Sequence, residues 1–239
     1  MSVKTKRFFL FFIIFRYYKK MNCIIPKTIV QTSRKQQQPA YIADMIAQYS
    51  PNWKYKHFTD NDVIIFFGTH PDKEFPDLIL KFFSLNYGEH RADLFRYYYL
   101  YKLGGVYMDT DAMLCTNIEN IVRNNDFFSV NSTYFPETIF QGFIGCTPKH
   151  PVIHKALQNL YNMESNVLSS TFHIICKDLY NIVLNQYKYN NDNGIENRML
   201  LYEEIYGNDE EAHIVDENKN VILIHYHVKK IIPNNLKLC

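Results

Sequence analysis

Glycine is scarce in this chain of 239 residues, occurring 8 times, and tryptophan occurs once. No Gly-x-Gly-x-x-Gly, no Gly-x-x-x-x-Gly-Lys-Ser/Thr and no Gly-x-Ser-x-Gly is present. These absences remove the dinucleotide fingerprint, the phosphate-binding P-loop and the nucleophile elbow. The cysteines, Cys23, Cys115, Cys146, Cys176 and Cys239, are odd in number and scattered, with no Cys-x-x-Cys. Neither a disulfide framework nor a thiolate metal site follows from that spacing, and free thiols in a reducing compartment are the expectation. No apolar run approaches the roughly 20 residues of a membrane span. The run from Phe8 to Phe15 has eight apolar residues and no small-residue cleavage site after it.

Positive charge is unevenly placed. Residues 1–20 carry six bases and no acid, whereas the rest of the chain has 20 basic against 24 acidic residues. A mildly acidic remainder argues against nucleic acid as a partner. The N-terminal stretch reads either as a weak interfacial membrane anchor or as an extension ahead of a single domain over 21–239 that begins at Met21. A cytosolic-face or membrane-associated location is expected over secretion.

What is present is concentrated in Ala92–Asp111, which reads ADLFRYYYLYKLGGVYMDTD. The spacing predicts a helix over about 87–103, stopped by Gly104-Gly105, then a short apolar strand ending in two aspartates. Residues i and i+2 of a strand point the same way, so Asp109 and Asp111 present two carboxylates together. Such a pair repels itself unless a cation lies between, and Mg²⁺ or Mn²⁺ suits it. An isolated Asp-x-Asp is most often a solvated loop. Here the apolar Val106-Tyr107-Met108 marks a buried strand, whose C-terminal end is where α/β folds hold ligands. On the helix, Ala92, Phe95, Tyr99 and Leu103 form the expected buried stripe, with Glu89, Asp93 and Arg96 on its shoulder.

Elsewhere the pattern predicts strands at 23–32, 53–58, 126–130, 141–146 and 221–224, the last delivering His225. Helices are predicted over 41–49, after Thr59-Asp60-Asn61-Asp62, and over 152–161. Residues 187–193 read as a polar loop. Strands alternating with helices predict an α/β class with a Rossmann-like, mainly parallel sheet flanked by helices.

Together these segments resemble glycosyltransferase family 32, the sugar-binding-region enzymes with an Asp-x-Asp motif, and more distantly the glucosylating bacterial toxins. Ala92–Asp111 carries the resemblance, supported by Ile25-Pro26-Lys27-Thr28-Ile29, by Ser50-Pro51-Asn52-Trp53-Lys54-Tyr55 and by Gly142-Phe143-Ile144-Gly145. It implies a GT-A fold, a nucleotide-sugar donor (UDP- or GDP-sugar), a divalent metal, usually manganese, and retention of anomeric configuration. The acceptor would be a glycan, lipid or protein. Carried over by residue, Asp93 and Arg96 would hold sugar hydroxyls, and Gln31 and Thr32 would line the nucleotide pocket. Asp109 would contact ribose and sugar and help place the metal. Asp111 would bind the metal, joined by His225. The family's His and its later aromatic on the opening strand are replaced by Val30 and Ser33. No Ser-Trp pair follows His225, where Lys229 and Lys230 stand instead.

Three functions stay open on the sequence alone. They are an active retaining transferase, another metal-dependent enzyme on phosphate esters, and a non-catalytic carbohydrate- or membrane-binding relative. The helix bearing Asp93 and Arg96 favours the first over the second.

Overall fold

A computed structural model describes residues 25–170, 173–208 and 210–226. The extension over residues 1–20, Cys23, Cys239, Lys229 and Lys230 lie outside these. The first half runs β1 (Thr28–Thr32), α1 (Ala40–Tyr49), β2 (Lys54–Phe58), α2 (Asp60–Thr69), α3 (Leu78–Ser84) and α4 (Gly88–Leu103). Then come β3 (Gly105–Met108), β4 (Ala112–Leu114), α5 (Ile118–Val122), β5 (Phe127–Ser132) and β6 (Ile139–Cys146). The chain continues through α6 (Pro151–Asn162), α7 (Ser165–Ser170), α8 (Ile174–Asp192), β7 (Met199–Asn208), β8 (Glu211–Val215) and β9 (Val221–Tyr226).

The fold is α/β, with strands in the order β2-β1-β3-β6-β5-β7-β8-β9-β4. Pairing is parallel for β1 with β2, β1 with β3, and β5 with β7; the other pairs are antiparallel. The sheet is therefore mixed where a mainly parallel one was expected. The physical reason is connection length: β5–β6, β7–β8 and β8–β9 are joined by short links, which permit only antiparallel return.

The strand alternation places two cores on opposite faces. Val30, Tyr107, Phe127 and Ile144 pack with α2, α3, α4, α6 and α8. Ile29, Val106, Met108, Phe128 and Phe143 pack against α1 and α5 on the other side. A strand buried on both faces needs continuous apolar sequence, which is why Gly105–Met108 and Phe127-Phe128 read as unbroken runs.

The placing of β4 decides the shape of the site. It begins after only Asp109, Thr110 and Asp111 have followed β3, yet it stands at the far edge of the strand order. Six strand spacings on a flat sheet would separate them by about 29 Å. Four residue steps reach at most about 14 Å. The sheet must therefore curl until its last edge returns beside β3, and Asp109-Thr110-Asp111 is the link across the closure.

Three other expectations are corrected. Residues 187–192 belong to the last turns of α8. Their polar side chains satisfy one another and the backbone, Gln186 bonding Asn190 at 2.8 Å and Asn190 bonding Asn197 at 2.9 Å, while Leu179 and Val183 bury the helix. Asp93 and Arg96 lie inside the core, not on a shoulder, because α4 packs the sheet on one side and α6 on the other. Cys115 is disulfide-bonded, with its partner outside the described residues, whereas Cys146 and Cys176 are free thiols.

Candidate active site

Two glycines launch the central strand. Gly104 has φ 65° and Gly105 φ 110°. A Cβ on Gly104 would stand 2.8 Å from the Cys146 carbonyl oxygen, and one on Gly105 2.8 Å from that of Thr28. Only glycine tolerates that backbone so close to its neighbours. The tight turn lets α4 and β3 lie side by side, so Arg96 on the helix reaches Asp109 at the strand end, Nη2 to Oδ1 3.4 Å.

Arg96 is the hub. Its Nη1 donates to the Gln141 carbonyl at 2.5 Å, its Nε stands 3.4 Å from Asp93 Oδ1, and its guanidinium lies 4.3 Å from the Tyr107 ring centre. Burial alone would lower its pKa, but Tyr107, Asp109 and Asp93 raise it, so the charge is secure. Asp93 is 7% exposed. Burial pushes its carboxyl up to about 6, opposed by Arg96 and reinforced by Asp109 and Glu89. Behind it, Tyr97 donates to Gln141 Oε1, and Gln141 Nε2 donates to the Cys176 sulfur at 3.2 Å. Burial raises that thiol to about 11, so it is not a thiolate nucleophile near neutral pH.

A cavity of about 490 Å³ opens along this cluster. Asp109, Asp111 and Arg96 line one part, and Thr32, Arg34 and Asp60 are among the residues of its wall. Thr32 bonds the Tyr107 hydroxyl at 2.8 Å. Ser33, also on the wall, meets His57 Nε2 at 2.9 Å, and burial lowers the His57 pKa against the pull of Asp62.

The site residues expected from sequence are thus divided. Thr32, Arg96, Asp109 and Asp111 share the cavity. Asp93 stands behind it. Gln31 is 1% exposed and turned away from the wall, its Nε2 donating to the Asp109 carbonyl at 3.1 Å and its Oε1 accepting from Tyr55 at 2.8 Å. His225 lies within β9, paired with Ala112, so the closure brings it beside the link. Its ring stacks 4.4 Å from Phe140, and Nδ1 stands 3.6 Å from Glu204 Oε1. Arg34 and Arg91 were not singled out from sequence. Arg91 directly precedes Ala92–Asp111 and stands five residues before Arg96 on the same helix.

Among the described residues no group of three or more His, Cys, Asp or Glu side chains stands ready to hold a metal ion. The half-buried carboxylates of Asp109 and Asp111 are hard oxygen donors in one cavity. They fit a Mg²⁺- or Mn²⁺-like ion that takes one or two protein carboxylates and completes its shell with substrate oxygens.

Residues 36–128 match the glycosyltransferase sugar-binding region containing the DXD motif, as the resemblance implied. Inositol phosphoceramide mannosyltransferase 3 of Schizosaccharomyces pombe is 28% identical over 148 residues, covering 60% of this chain and 39% of that protein. Mannosyl phosphorylinositol ceramide synthase SUR1 of Saccharomyces cerevisiae is 29% identical over 140 residues, covering 57% and 35%. The chain spans about two fifths of the length of these curated relatives. Among solved structures, the PaToxG glycosyltransferase is 15% identical with a TM-score of 0.48, covering 76% of this chain and 78% of that one.

Proposed function

We propose, from the premise that residues 36–128 form a glycosyltransferase sugar-binding region containing the DXD motif, that this chain transfers a sugar from a nucleotide-sugar donor. The observation that carries the reading is one cavity holding Asp109, Asp111 and the fully charged Arg96 at the closure of the sheet. Residues 21–239 act as one GT-A domain; the described part of it shares a single sheet. Asp109 and Asp111 hold the divalent ion, which when bound neutralises charge developing on the departing diphosphate. Arg96 faces the donor and orients sugar hydroxyls. Asp93 holds Arg96 from behind, and Thr32 and Ser33 border the nucleotide. Orientation of this kind supplies much of the rate by fixing the anomeric carbon for attack.

Transfer proceeds with retention by front-face attack. The acceptor hydroxyl forms the new glycosidic bond, the bond to the donor phosphate breaks, and the departing phosphate takes the proton. The named activities of the fungal relatives support a sugar acceptor on a lipid carrying an inositol phosphate headgroup, and hence work at a membrane surface. Among the described residues no helix is long and apolar enough to cross a membrane.

The test is incubation with a panel of UDP- and GDP-sugars and Mn²⁺, with and without inositol phosphoceramide, followed by mass spectrometry of both products. Release of a nucleoside diphosphate together with a glycosylated lipid is expected. Intact donors across the panel would overturn the reading.

A further inference from the structure

The two carboxylates sit on a link of three residues, and each carbonyl of that link is held by a different element. Asp109 O accepts from Gln31 Nε2 on β1 at 3.1 Å, in addition to the turn bond from Ala112 N at 3.1 Å. Thr110 O accepts from the Tyr41 hydroxyl on α1 at 3.2 Å. Asp111 O accepts from the backbone amide of Tyr226 on β9 at 2.9 Å. On the donor side, Asp109 N bonds Gly142 O on β6 at 2.8 Å. Gln31 is in turn fixed by Tyr55 of β2, whose hydroxyl donates to Gln31 Oε1 at 2.8 Å. Tyr41 and Met45 lie one turn apart on α1 and grip the chain on both sides of β4's start, Met45 Sδ accepting from Leu114 N at 3.2 Å.

Two of these holds are ordinary strand pairing and would exist in any such sheet. The other two are not. The hydroxyl of Tyr41 is delivered from a helix, and that of Tyr55 from a strand that also reaches the cavity wall through His57, which bonds Ser33 at 2.9 Å. Their effect is to fix the carbonyls of the Asp109–Thr110 and Thr110–Asp111 peptides, which sets where both carboxylates point. Like charges on neighbouring side chains push apart, so an unbraced link would splay before a cation arrived. Bracing removes that reorganisation from the binding step.

We propose that Tyr41 and Tyr55 are positioning residues for the carboxylate pair, Tyr41 through the Thr110 carbonyl and Tyr55 through Gln31. The inference rests on the reading of Asp109 and Asp111 as cation ligands. Neither tyrosine is among the residues lining the cavity. Each acts through the backbone that carries the ligands, in the way outer-shell partners tune a metal site.

The test uses Tyr41→Phe and Tyr55→Phe, which keep the ring and its packing and remove only the hydroxyl. Mn²⁺ is titrated into each protein with UDP or GDP present, and free Mn²⁺ is read by electron paramagnetic resonance. Melting temperature is measured in the same buffer without metal. Each variant is expected to bind Mn²⁺ about tenfold more weakly, the lower end for outer-shell partners, with melting little changed. Tyr49→Phe, on α1 but outside the relay, should bind as the wild type does. Unchanged Mn²⁺ affinity in both variants overturns the inference, as does weaker binding that merely tracks a large fall in melting temperature. A wild-type protein that binds no Mn²⁺ with either nucleotide overturns the reading of the site itself, and the inference with it.

Discussion

Asp93 and Asp126 stand at opposite ends of the central strands, and each is embedded with an arginine and an aromatic ring. Around Asp93, one cation serves two carboxylates: Arg96 lies 3.4 Å from both Asp93 and Asp109. Around Asp126, two basic groups serve one carboxylate. His150 Nε2 is at 3.6 Å and Arg198 Nη2 at 3.4 Å, and His150 stacks 5.1 Å from Phe127. The consequence is opposite in sign. Burial pushes Asp93 up to about 6, whereas for Asp126 burial is outweighed by His150 and Arg198 and the carboxyl is lowered. The Asp126 end is a closed brace, tied further by Thr147 N to Asp126 O at 2.9 Å and Asp126 N to Arg198 O at 2.9 Å. The Asp93 end opens on a cavity lined by Asp109 and Asp111 together with Arg34, Arg91 and Arg96. A carboxyl raised by burial beside a cavity marks a candidate site, whereas a carboxyl lowered by two basic neighbours is architecture.

The sharpest way to break this contrast is at Asp111. Asp111→Asn should lower transfer by about a thousandfold, the several kcal/mol that a metal ion contributes to charge stabilisation. Its melting temperature should stay near that of the wild type, since the side chain is only half-buried. Retained turnover in a chelating buffer would remove the cation from the account.

Next in size is removal of the cation at each end. Arg96→Met leaves two carboxylates facing each other without compensation and should cost about 3 kcal/mol in urea unfolding. Arg198→Met leaves His150 beside a partly exposed Asp126 and should cost about 1 kcal/mol or less. Equal losses would erase the distinction between site and brace.

A further effect is a pH dependence. The folded value of Asp93, about 6, lies above its ordinary 3.8. The folded state therefore holds the proton more tightly, and this contribution is fully present below about pH 4 and lost as pH rises through about 6. Relative to Asp93→Asn, the wild type should lose about 3 kcal/mol over that window and stay level above it. A difference between the two proteins that is flat from pH 4 to 7 would show that Asp93 ionises normally.

Much of this arrangement was legible in local pattern. The helix start that Thr59-Asp60-Asn61-Asp62 signalled is there, closed by a capping box between Thr59 and Asp62, with Thr59 N to Asp62 Oδ2 at 2.9 Å. The helix, double glycine, apolar strand and two aspartates of 88–111 fold in that order. Burial of Asp93 and Arg96 was not legible, because helical periodicity tells which residues share a face and not how many elements pack around the helix. On α4 both polar residues lie inside, where the charge of Arg96 is met by Asp93 and Asp109 together. The polar end of α8 was missed for a related reason: its asparagine and glutamine side chains bond one another, a satisfaction that composition cannot show.

The sequence by itself determined which residues could do chemistry, but strand alternation ends at Met108. Asp109, Thr110 and Asp111 form a turn in which Ala112 N donates to the Asp109 carbonyl at 3.1 Å, and that turn brings both carboxylates to one cavity. Only the tertiary structure decided that the link between those carboxylates closes the sheet, that Gln31 turns onto the Asp109 carbonyl 78 positions away, and that His225 arrives opposite Ala112. The reason is the curl. A three-residue link cannot span an open sheet of this order, so the far edge must return to it. That return is a property of nine strands pairing together, which no local stretch of the chain encodes.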